Sequence, residues 1–142
     1  MQTFLPYENF SQSAKVLDRM RLGKQRVETL QILNILSGIK ENSRWKNHPA
    51  VKMWKNCGYL LAEYGLEICK EWISRGYKDT CFEKILIIQK EHKIQLGNNR
   101  PNWFGHKEFH ASHRSNLLRK NPIYYLQFNW VENSNLPYYW PK

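Results

Sequence analysis

Apolar residues recur along most of the chain at spacings of three and four, the period of helices that bury one face. Leu22, Val27, Leu30 and Leu33 define such a stripe, and the pattern predicts a helix from about Phe10 or Ser13 to Ser37. Gly38 supplies its left-handed stop, with a break expected near Gly23. KENSRWKNHPAV then reads as a polar loop, with Asn47 or His48 capping a helix that opens on Pro49. Val51, Trp54, Leu61, Ile68 and Trp72 form the apolar face of that second helix, which runs to Arg75 and Gly76. Within it, Gly58 and Gly65 mark places of close packing.

Thr80 and Glu83 make a T-x-x-E capping box before a third helix, CFEKILIIQKEHKI. A fourth, HKEFHASHRSNLLRKN, ends at Pro122, followed by a short aromatic segment, IYYLQFNW, and the extended tail NLPYYWPK. The expected fold is all-α: one compact domain over residues 1–142, with about four main helices and extended termini docked on the core. The 142-residue length suits one hydrophobic core without metal or disulfide staples.

Charge narrows the function. Twenty-two Lys and Arg against twelve Asp and Glu give a net +10, a surplus that suits a polyanionic partner. Cys57, Cys69 and Cys81 contain no CxxC pair and read as reduced thiols. With no signal-peptide pattern in MQTFLPYENF and no apolar run long enough to span a bilayer, the expected compartment is cytoplasmic, without membrane attachment.

Arg21, Lys24 and Glu28 fall within about 60° on the helical wheel, opposite the apolar stripe. A surface Lys24–Glu28 ion pair is the plain reading. Lys before Glu at i, i+4 is however the weaker order against the helix dipole. A lone carboxylate among cations suits strand-cleavage or base-excision chemistry, in which cations hold the phosphodiester and the carboxylate moves protons. His106, His110 and His113 share a face at i, i+4 and i+7, compatible with metal ligation and so with a metal-dependent nuclease. FHASHRSNLLRKNP also mixes cations, hydroxyls and amides in a manner suited to phosphate contacts, with Tyr124 and Tyr125 adding aromatic planes. Aromatic residues completing a small core explain each ring equally well taken singly.

LDRMRLGKQRVETLQIL, RWKNHPAVKMW, EYGLEICKEWISRGYKDT and FHASHRSNLLRKNPIYY, in this order, resemble the phage endonuclease V type pyrimidine-dimer DNA glycosylases, in a little-described bacterial and viral branch. The resemblance implies an all-helical glycosylase and AP lyase. Its N-terminal α-amine attacks sugar C1′ to form a Schiff base, assisted by a glutamate on the first long helix. By register that glutamate is Glu28. Arg21 and Arg26 stand near the family's phosphate-gripping cations, although Val27 occupies a place where the phage enzyme has arginine. The family's amine is a threonine's, whereas this chain begins Met1, Gln2, Thr3, which makes Met1 the expected nucleophile and Lys24 the alternative.

The DNA-binding set expected around this centre is Arg19, Arg21, Arg26, Asn47, His48, His110, His113, Arg114, Arg119, Lys120 and Tyr125. The implied partner is duplex DNA carrying a damaged or modified pyrimidine. No cofactor and no obligatory protein partner are expected. A non-catalytic DNA-binding module of the same fold is the rival reading.

Overall fold

The computed structural model describes residues 1–141, and among them there are helices and no strand. Helix α1 spans Phe10–Val16 and α2 spans Arg19–Leu36. A single turn, α3 (Pro49–Lys52), precedes the central helix α4 (Gly58–Ser74). Then follow α5 (Cys81–Glu91), α6 (Lys93–Leu96), α7 (Lys107–Lys120), the turn α8 (Pro122–Tyr125) and a 3-10 turn, Leu126–Phe128. Helix α4 is the hub, packing against α1, α2 and α5. One core runs from Phe4 and Leu5 in the N-terminal segment to Tyr125.

The first long helix breaks earlier than its sequence suggests. Leu17 is extended (φ −68°, ψ 136°) and Asp18 takes the N-cap position of α2 without a side-chain cap bond, while Gly23 stays helical. A tertiary contact makes the break: the Asp18 N–H donates to the Tyr125 hydroxyl at 3.0 Å, 107 residues on in the chain. Gly23 serves packing instead, since a Cβ there would lie 3.1 Å from the Trp72 ring.

The buried face of α2 also differs from the predicted stripe. It consists of Leu22, Gln25, Thr29, Ile32 and Leu33, whereas Val27 is 46% exposed. Two polar residues therefore enter the core: Thr29 packs by its methyl against Gly65, and Gln25 belongs to the site.

The second predicted helix is two. Residues Met53–Cys57 turn the chain between α3 and α4, with Asn56 left-handed at φ 64°. Asn99 N–H donates to Asn56 O at 2.9 Å and Tyr59 N–H to Gly97 O at 3.1 Å, so a distant loop holds the turn. Gly58 consequently opens α4 rather than lying inside a helix. The third predicted helix is interrupted at His92, between α5 and α6.

At the start of α5, Thr80 makes no side-chain cap bond. Asp79 takes that role, its Oδ2 accepting from Cys81 N–H at 3.1 Å and Phe82 N–H at 2.7 Å.

At Gly65 side chains of α2 and α5 both press against the backbone of α4. A Cβ at that position would lie 2.8 Å from Thr29 Cγ2 and 3.0 Å from Ile85 Cδ1. Gly65→Val is expected to destabilise by about 3 kcal/mol through overpacking, read as a shift in the urea midpoint with an unchanged m-value.

Candidate active site

The site forms where the N-terminal segment lies across α2. Gln25, 1% exposed, uses both ends of its amide to hold the segment there. Its Oε1 accepts from Phe4 N–H at 2.9 Å and lies 2.7 Å from the Tyr64 hydroxyl, whose one proton it shares with Phe4 O at 2.7 Å. Its Nε2 donates to Gln2 O at 2.8 Å and to Glu28 Oε2 at 3.1 Å. All the amide's hydrogen-bonding capacity is used, which fixes which end is oxygen. Glu28 Oε2 also lies 3.5 Å from Gln2 N–H, so the carboxylate stands one peptide unit from the α-amine of Met1.

Met1, Gln2, Arg21, Lys24, Glu28 and Lys120 line a cavity of about 260 Å³, with Phe4 and Tyr138 also in its wall. A wider groove of about 730 Å³ continues along Arg19, Val27, Gln31 and Trp72, with Met20, Lys24 and Glu28 common to both. No Lys24–Glu28 ion pair forms among the described residues, and Lys24 is exposed. Arg21 is braced, its Nη1 lying 3.2 Å from Asp18 Oδ1. Asp18 in turn accepts from the Tyr125 hydroxyl. His48 stands close enough for the N-terminal charge to act on it. Burial first, then that charge, lowers its pKa, and its Nδ1 accepts from Ala50 N–H at 3.0 Å.

Several expected DNA contacts are internal ties. His113 is fully buried, its Nδ1 accepting from Leu5 N–H at 2.8 Å. His110 donates from Nδ1 to Leu5 O at 2.8 Å, and its Nε2 accepts from Gly105 N–H at 3.1 Å. Neither ring is free to meet phosphate or to share a metal with exposed His106, so the three-histidine face does not form. Burial is the main cause that lowers both pKa values, that of His113 to about 3.

Tyr125 is likewise fully buried beneath Asp18, with its hydroxyl pKa pushed up mainly by that burial. Arg114 binds Glu132 at 2.6 Å and Pro6 O at 2.7 Å. Arg119, although exposed, donates to Ser134 O at 3.0 Å and also binds Asn116. Ser112 and Ser115 on the same helix accept from Tyr139 N–H at 3.2 Å and Leu136 N–H at 3.0 Å. The polar run of α7 that resembles a nucleic-acid surface thus binds the chain's two extended ends.

Arg26 is also withdrawn. It pairs with Asp79 at 2.6 Å and lies 4.4 Å over the Trp72 ring. Burial alone would push the Asp79 carboxyl up, but the Arg26 bond and the Phe82 and Cys81 N–H groups together lower it. Arg19 lies 5.1 Å over Tyr77 on the groove wall, and Asn47 is exposed on the α2–α3 loop. Of the expected site residues, Met1, Arg21, Lys24, Glu28 and Lys120 therefore meet in one cavity.

A family model for pyrimidine dimer DNA glycosylases matches residues 1–84. The chain belongs to this family. DNA is accordingly its substrate class and repair glycosylase chemistry its coarse activity. No curated protein and no solved structure matches. The matched segment holds the α-amine, Arg21, Lys24, Gln25 and Glu28; Lys120 and Tyr138, which complete the cavity, lie beyond it. No described helix is long and apolar enough to cross a membrane.

Gln2, Gln25 and Tyr138 are site residues that the sequence reading missed. Gln25 had a signal: on the wheel it falls among Leu22, Ile32 and Leu33, where an unpaired amide would be costly.

Gln25→Leu strands Phe4 N–H and Gln2 C=O and is expected to cost about 3 kcal/mol, measured by urea unfolding. For His113, the folded pKa of about 3 lies below the ordinary imidazole value of 6.5. The unfolded state therefore binds the proton first as pH falls, and stability present above the unfolded pKa is lost toward the folded one. Urea midpoints should drop between about pH 7 and about pH 4, and less steeply in His113→Gln, which keeps an acceptor for Leu5 N–H.

Proposed function

We propose that the protein is a DNA glycosylase with associated AP-lyase activity on a damaged or modified pyrimidine in duplex DNA, using the α-amine of Met1. The observation that carries this reading is the 3.5 Å approach of Glu28 Oε2 to Gln2 N–H, on the wall of a cavity shared with Met1 and three cations.

The neutral amine donates its lone pair to C1′ as the bond from C1′ to the base breaks and the electron pair leaves with the base. The departing base takes up a proton, and the amine nitrogen loses one, for which Glu28 is the nearby carboxylate. The ring then opens to an iminium, whose positive charge Glu28 also opposes. Removal of a C2′ proton breaks the bond from C3′ to oxygen and expels the phosphate. Water then releases the unsaturated sugar aldehyde and restores the amine. In this reading Lys24, Lys120 and the braced Arg21 hold the phosphates that flank this sugar. Arg21 has an advantage over a free arginine because Asp18 and Tyr125 fix its guanidinium beforehand.

Borohydride trapping on duplex DNA with an abasic site, followed by peptide mapping, tests the proposal. The adduct is expected at Met1, and one at Lys24 would move the nucleophile. Glu28→Gln should slow trapping by about 10²–10⁴-fold while abasic-duplex affinity stays within about threefold. Tight, salt-dependent binding with neither adduct nor cleavage would leave a DNA-binding module in its place.

A further inference from the structure

Met20 is 63% exposed at the start of α2, yet it lines both the small cavity and the wider groove. It stands where the two meet, beside Lys24 and Glu28. It shares this surface with the cations Arg19, Arg21 and Lys24, the carboxylate of Glu28 and the apolar Val27 and Trp72. A thioether has no favourable contact with the phosphates such a surface attracts. In a duplex, the group that matches it is the apolar face of a base.

We infer that Met20 is a wedge residue that enters the base stack at the step beside the target nucleotide. The inference rests on the proposed duplex DNA reading and deepens it. Proteins that kink DNA insert unbranched or branched apolar side chains between base steps, methionine among them. Methionine's three side-chain torsions and polarizable sulfur suit a gap of irregular shape between aromatic rings. Cations on either side would hold both phosphates of the parted step, so that the tip enters while the backbone is gripped. Separation at this point would turn sugar C1′ toward the cavity shared by Met1 and Glu28, where stacked duplex would otherwise keep it out of reach.

The test uses the full chain and abasic DNA in two forms, duplex and single-stranded, together with 2-aminopurine beside the abasic site in the duplex. Wild type should raise 2-aminopurine fluorescence on binding. Met20→Ala should lose most of that rise and lower the ratio of duplex to single-strand borohydride trapping about tenfold, because a single strand has no stack to open. Met20→Leu should restore both. An unchanged ratio and fluorescence rise in Met20→Ala would overturn the wedge. If wild type traps on neither form, the amine chemistry fails separately, and the fluorescence comparison alone decides for or against Met20.

Discussion

The structure depends on how residues 2–6 are held. These residues are buried and extended, with neither a strand partner nor a helix to satisfy their backbone. Buried N–H and C=O groups must be paired, and here side chains do it: Gln25 for Gln2 and Phe4, Tyr64 for Phe4, His110 and His113 for Leu5, and Arg114 for Pro6. Gln25 in α2, Tyr64 in α4 and His110, His113 and Arg114 in α7 follow from that one need, whereas Ser112, Ser115 and Asn116 of α7 hold the C-terminal segment. The site follows from it too, because Gln25 holds the Gln2 carbonyl and the Glu28 carboxylate with the same nitrogen.

The same constraint divides the cations into two populations. Arg26 and Arg114 are bound to Asp79 and Glu132 inside the molecule, and Arg75, held by Glu71 of its own helix at 2.7 Å, ties α4 to α1 through Lys15 O at 3.1 Å. These guanidiniums complete helix packing, a task that their rigid fork of donors suits. Arg19, Lys24 and Lys120 remain on the surface around the cavity, and Arg21 stands between the populations, braced on one side and facing the cavity on the other. The count of twenty-two Lys and Arg thus overstates how many cations face the surface, and their distribution counts for more than the sum.

Legibility followed the range of the interactions. The helical class, the capping role of His48 before Pro49 and the left-handed Gly38 and Gly76 are local matters, and the pattern of residues carries them. Glu28 and Lys24 on one face of α2 are likewise a consequence of helical period. The break at Leu17, by contrast, comes from Tyr125, and the turn at Asn56 from Asn99. His110, His113 and Arg114 were misplaced because a polar helical face looks the same whether it meets a phosphate backbone or a buried peptide.

By itself, then, the sequence determined an all-helical chain, a carboxylate set among cations on its first long helix, and a resemblance that the family match bears out. Helical period and turn chemistry act over a few residues and need no partner. Only the tertiary structure decided which polar residues are tied into the fold and which are left around the cavity, because that depends on where an extended terminus docks. Its docking draws Gln25, His110 and His113 inward, and it brings Met1 to the cavity that Glu28 and Lys120 complete from helices far apart in the chain.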